Sequence, residues 1–171
     1  MTEHLIDWKP ENLFWGYFDA KTPPILKIAS GDEVVMNCLP ACLPSDLPPD
    51  GHGVLDDHVL AMEIHQANRG AGPHMLTGPV FVEGAEPGDV LQVDILEAKP
   101  AQDWGFTASL PLLGALPDEF TDYEHLHISV DRDVMTCTLP WGLTLPLDPF
   151  FGIMAVAPPK EWGRIGTPEP R

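Results

Sequence analysis

The sequence is short of cations. Nine lysines and arginines stand against 26 acidic residues, giving a formal net charge of −17 at pH 7. A surface this acidic repels phosphate backbones and anionic lipid, which argues against nucleic acid and membranes as partners. Long hydrophobic runs are missing too, and none approaches the ~20 residues a bilayer-crossing helix needs. Met1 to Glu11 has no basic stretch followed by an apolar one, so no signal peptide is read. Cysteine is scarce: Cys38, Cys42 and Cys137. An odd, low count points to reduced thiols and a cytoplasmic protein. Three residues separate Cys38 from Cys42, and no second pair exists, which argues against a zinc–thiolate site. Several catalytic signatures are also absent: no Gly-x-Ser-x-Gly elbow, no phosphate loop, no dinucleotide glycine motif, no His-Glu-x-x-His.

What the chain has in excess is proline, 20 of 171 residues. Proline lacks the backbone N–H and is disfavoured inside helices and central strands. Short elements and many turns are the consequence. The strand signals are frequent: residues 24–29, 33–39, 78–83, 90–97, 125–130, 134–139 and 152–157. Residues 90–97 alternate best, with Leu91, Val93 and Ile95 forming a wholly apolar face that suits a half-buried strand. In 125–130 the inward residues are Leu126, Ile128 and Val130. Asp131-Arg132-Asp133 then turns the chain into the return strand of a hairpin. One helix is considered, over 55–67, with Leu55, Val59, Met62 and Ile64 apolar and Asn68-Arg69-Gly70 as its stop; a strand around Asp57-His58-Val59-Leu60 is the alternative. The expected fold is mainly β, a sandwich or jelly roll or a barrel, with little helix. Length predicts a single domain over 1–171. Residues 40–53 read as a long loop, and 158–171 as a similarly extended stretch with no partner element after it.

One turn is repeated. Ser30-Gly31-Asp32 and Pro87-Gly88-Asp89 both place Gly-Asp just before a predicted strand, where glycine supplies positive φ and aspartate bonds the turn backbone.

The candidate chemistry centres on Arg69-Gly70-Ala71-Gly72-Pro73-His74-Met75-Leu76-Thr77-Gly78. Glycines here let backbone approach a small ligand. His74 could serve as general base or metal ligand, or be an ordinary loop or core histidine. Thr77 could orient a carbonyl or a water. His125 and His127, two apart on one strand face, could chelate a metal or lie on an exposed face. His58 follows Asp56-Asp57, an acidic cluster that could bind a metal or be a solvated turn. His4, His52 and His65 carry no pattern.

Thr77-Gly78-Pro79-Val80-Phe81-Val82-Glu83-Gly84-Ala85-Glu86-Pro87-Gly88-Asp89-Val90-Leu91 resembles the signature of the acetamidase/formamidase family, which also keeps a histidine where His74 stands. Trp15-Gly16-Tyr17-Phe18-Asp19-Ala20 is similar to the family's opening. Asp103-Trp104-Gly105 with Leu116-Pro117 is similar to its middle, and Pro149-Phe150-Phe151-Gly152 through Gly163-Arg164-Ile165 to its approach to the centre. The family often has histidine where this chain has Phe14. The resemblance implies hydrolysis of a small linear amide such as formamide or acetamide, releasing ammonia. It further implies a site in which His74 acts as base or ligand, Thr77 assists, and the Gly78 backbone helps bind substrate. A divalent metal is implied, zinc being the candidate, with its other ligands in a C-terminal part. The family's Gly-Gly-Asn-x-Asp and Gly-Asp-x-His-Ala elements come after the stretch that resembles Thr167 to Arg171. The expectation is therefore an incomplete part of a longer enzyme, inactive alone, that forms a homo-oligomer or pairs with a missing C-terminal half.

Overall fold

The computed structural model describes residues 1–168; Glu169 to Arg171, the end of the resembling stretch, lie outside the described residues. Its first strands are β1 (Glu3–Ile6), β2 (Leu13–Trp15), β3 (Tyr17–Phe18), β4 (Leu26–Ile28) and β5 (Glu33–Met36). The helix α1 (Asp56–Gln66) precedes β6 (Met75–Thr77) and β7 (Val80–Val82). Then come β8 (Trp104–Ser109), β9 (Glu124–Asp131), β10 (Thr136–Thr138), β11 (Thr144–Pro146) and β12 (Ile165–Gly166). The mainly-β expectation is met. The chain clusters into two compact units.

The first unit holds Met1–Ala41, Asp56–Glu97 and Ile153–Pro168. Its strands form two-stranded ladders: β1 with β5 and β4 with β7, both parallel, and β2 with β6 and β3 with β12, both antiparallel. The core sits where β2 meets β6. Leu13, Phe14, Trp15, Met75 and Leu76 are buried there, with Ile6, Ala61 and Met62 also buried in the unit. The α1 helix is present over nearly the span read from sequence. Asp56 and Asp57 in its first turn suit the positive end of the helix dipole. Its inward face differs from the expected apolar one. His58, Ala61 and Met62 are buried, while Val59 and Ile64 are exposed. The His58 ring donates from Nε2 to Pro40 O at 2.8 Å and that of His65 to Pro10 O at 2.8 Å. Two imidazole–carbonyl bonds fix the helix rotation against its hydrophobic pattern.

The two Gly-Asp turns have the same chemistry. Ala29 N–H donates to Asp32 Oδ2 at 3.1 Å and Asp32 N–H to Ala29 O at 3.2 Å. Glu86 N–H donates to Asp89 Oδ2 at 2.9 Å and Asp89 N–H to Glu86 O at 3.1 Å. Gly31 and Gly88 sit at φ of 89° and 105°, which a side chain would strain.

The second unit holds Cys42–Leu55 and Ala98–Gly152. Its sheet is antiparallel in the order β11-β10-β9-β8. The expected hairpin is there, although β9 runs through Asp131 and its register with Thr136 leaves four residues in the turn, Met135 taking φ of 54°.

Two expected strands are not formed. Residues 90–97 and 152–157 have neither helix nor strand. Val90 is 95% exposed, and the apolar face of Leu91, Val93 and Ile95 is half uncovered. Met154 and Val156 are exposed as well. Alternation gives a strand only where a second strand supplies hydrogen bonds, and no described residue does so for the backbone of 90–96 or 153–157. Within the extended segment that begins at Pro158, Ile165–Gly166 form β12 and pair with β3.

Candidate functional site

In the first unit, three separate motifs meet around Gly16. Gly16 N–H donates to His74 O at 2.7 Å, and Gly16 O accepts from Gly72 N–H at 2.9 Å and Thr167 N–H at 3.1 Å. Gly70 N–H adds a bond to Trp15 O at 2.8 Å. This approach requires glycine. A Cβ on Gly70 would lie 2.6 Å from Gly16 O, and one on Gly72 would run into Thr167. The Trp15 indole N–H donates to Pro73 O at 3.0 Å. Arg69 stacks over Trp15 at 4.8 Å and Arg164 over Tyr17 at 3.7 Å, cation–π contacts that hold both arginines to neighbouring aromatic rings.

His74 is half-buried at the head of β6. Its Nδ1 lies 3.3 Å from Thr167 Oγ1, and its N–H points to the same oxygen at 3.4 Å. Its Nε2 has no hydrogen bond among the described residues. Thr77 Oγ1 donates to Asn37 O at 3.2 Å, and Gly78 N–H donates to Asn12 O at 3.0 Å. Both polar hydrogens are thus committed to holding the loop. Gly78 also lines a cavity of about 420 Å³ together with Phe14, Tyr17, His65, Asn68 and Arg164. Phe14 fills its place as core, packed against Tyr17 at 5.5 Å between ring centres.

A second polar cluster lies in the other unit, and no local spacing in the sequence announces it. Asp46 is buried. Its carboxylate accepts from Leu43 N–H at 2.7 Å and from the Tyr123 hydroxyl at 3.2 Å. His125 Nε2 stands 3.5 Å from Asp46 Oδ1, within ion-pair reach but long for a hydrogen bond. His127 Nε2 donates to the carbonyls of Asp46 and Leu47 at 3.0 and 2.9 Å. His125 and His127 therefore do not lie on a bare face; the 40–53 loop covers them. Only pairing over some eighty residues shows this. Beside Asp46, burial pushes the Cys42 thiol up to about 12, with the Asp46 charge adding to it. A thiol held protonated is no nucleophile at neutral pH. His52 pairs with Asp103 at 2.9 Å on the surface of this unit, also unforeseen.

A model of the acetamidase/formamidase family matches residues 11–164. The chain belongs to this family. Among curated relatives, a formamidase of Methylophilus methylotrophus is 29% identical over 101 residues, 58% of this chain and 22% of the relative. An acetamidase of Mycolicibacterium smegmatis is 41% identical over 61 residues, 29% of this chain and 15% of the relative. Among solved structures, a predicted acetamidase/formamidase of Thermoanaerobacter tengcongensis shares the fold at a TM-score of 0.71 and 23% identity. That match covers 96% of this chain and 48% of the other. An acetamidase of Bacillus halodurans matches at a TM-score of 0.61 and 22% identity, over 97% and 48%. The chain thus spans about half the length of these solved family members. No helix among the described residues is long and apolar enough to cross a membrane.

Against the family's implied metal, the described residues do not make a set. No three His, Cys, Asp or Glu side chains among the described residues gather where they could hold an ion. His74 stands without a second ligand among them, and the acidic pair before His58 belongs to a helix start, with His58 itself turned into the core.

Proposed function

We propose that this chain carries the N-terminal part of a hydrolase acting on the C–N bond of small linear amides such as formamide or acetamide, with a carboxylate and ammonia as products. The observation that carries the reading is His74: its ring is oriented through Nδ1 by Thr167, its backbone is locked to Gly16, and its Nε2 is uncommitted among the described residues. Such an imidazole can take a proton from the attacking water at Nε2 and hand it to the departing nitrogen. The Thr77 hydroxyl, having donated to Asn37 O, keeps lone pairs that can accept from an amide NH₂. Gly78 lines a cavity whose walls include neither His74 nor Thr77, so its part in this reading is the close backbone approach that the lack of a side chain permits. A divalent ion such as zinc would need its other ligands from the remaining half of the fold.

The test is a chimera in which residues 1–168 replace the matching half of the Bacillus halodurans acetamidase, assayed for ammonia release from acetamide and formamide. His74→Ala is expected to lower kcat by about 10²–10⁴-fold, the usual contribution of a positioned acid–base group, with the unfolding midpoint unchanged. Undiminished turnover in that variant would remove His74 from the mechanism.

A second reading is a β-domain that does no chemistry until the rest of the fold joins it. Coverage of about half of each solved relative, and the lack of a ligand set around His74, favour it for the isolated chain.

A further inference from the structure

The unformed strands of the first unit have a specific geometry. No backbone N–H or C=O of residues 90–96 has a hydrogen-bond partner among the described residues, and the same holds for 153–157. Unpaired backbone is normal in a solvated loop, but these segments are apolar. Val90, Leu91, Val93, Ile95 and Leu96 are each at least half exposed, and Met154 and Val156 more than half. Monomeric proteins rarely leave such runs uncovered. The Asp89 turn launches residues 90–96 as the Asp32 turn launches β5, yet only β5 finds a partner, in β1.

We infer that residues 90–96 and 153–157 are strands whose partner is the second half of the acetamidase/formamidase fold, a β-rich polypeptide that adds main-chain ladders and covers their apolar sides. The solved relatives contain as much polypeptide again beyond the half that this chain matches, which is where such a partner would come from. Strand addition draws its affinity from main-chain hydrogen bonds and its selectivity from alternate side-chain pockets. The inference rests on membership of the family fold and not on the amide chemistry.

The test uses the tagged 171-residue chain co-expressed with the second half of the Thermoanaerobacter tengcongensis protein. The halves are expected to co-purify in equal amounts, and amide exchange at 91–96 and 154–157 to slow by roughly 100-fold against the isolated chain, while β8 and β9 stay as they were. The double variant Val93→Lys, Ile95→Lys should abolish co-purification and keep the isolated chain's exchange pattern in β8 and β9. Failure of the halves to co-purify overturns the inference, and so does co-purification without protection of these segments. A dimer of the isolated chain that protects them overturns it too, because a second copy is then the occupant. Binding without ammonia release leaves the inference standing and counts only against the catalytic reading.

Discussion

Gly31-Asp32 and Gly88-Asp89 close turns with the same two hydrogen bonds and the same glycine conformation, yet the chain leaves the two turns differently. After Asp32 it pairs residue by residue with β1, from Glu3 opposite Glu33 to Ile6 opposite Met36. After Asp89 it runs exposed through Leu96, with no main-chain partner for residues 90–96 among the described residues. The turn is a local property that four residues determine. The strand is a long-range one, because β-propensity expresses packing on a neighbour more than a backbone preference. Asp32 itself shows the coupling: its Oδ1 accepts from Thr2 N–H at 2.8 Å and its Oδ2 lies 3.2 Å from His4 Nε2, so the same carboxylate that closes the turn holds the partner strand.

The sharpest way to widen this contrast is to truncate a side chain on each side of it. Trp15→Ala empties the core at β2 and is expected to cost about 3–5 kcal/mol. Ile95→Ala, on a half-exposed residue in the unpaired segment, should stay within ~0.5 kcal/mol in the isolated chain. Urea unfolding of both variants checks the pair, and equal losses would mean that residues 90–96 are packed after all.

A smaller effect separates the two turns themselves. Asp32→Ala removes acceptors of Thr2 and Ala29 and frees β1, so its unfolding midpoint should fall by several degrees. Asp89→Ala removes only the bond from Glu86 and should leave the midpoint almost unmoved. Thermal melts decide it; matched losses would mean that the two turns carry equal weight. The smallest effect is one of pH within the paired unit. Burial holds the His58 imidazole below its ordinary 6.5, against the raising effect of its bond to Pro40. The unfolded chain therefore takes up the proton first. The stability tied to this group is full above pH 6.5 and declines as pH falls from there toward the folded value. Urea midpoints measured from about pH 7.5 downward should show this decline, and a His58→Gln variant should flatten it.

Local features are legible in the sequence. The helix over 55–67, the hairpin after His125 and the repeated turn are all readable from spacing and turn residues. The frequent short strand signals between Gly/Pro turns carry the fold class, and the family signature from Thr77 to Leu91 points to the region around His74. The features that escape have a common cause in distant partners. Leu13-Phe14-Trp15 is buried at every position, so it shows no alternation to mark it as a strand. For His125 and His127, an exposed face is the plainer reading and a metal the other, until Asp46, about eighty residues earlier in the chain, stands beside them. His58 and His65 rather than Val59 and Ile64 face inward because two carbonyls accept from their ring nitrogens. Residues 90–97 alternate like a strand, but among the described residues 90–96 have no neighbouring strand to make them one.

On the inference of strand completion, residues 90–96 stay unpaired until a second half of the family fold adds a strand to them. Amide hydrogen exchange on the isolated chain tests that most directly, by comparing residues 33–36 with residues 91–96. Protection is expected in 33–36, where β5 bonds to β1, and exchange near the unstructured rate in 91–96. Equal protection of the two segments would contradict it.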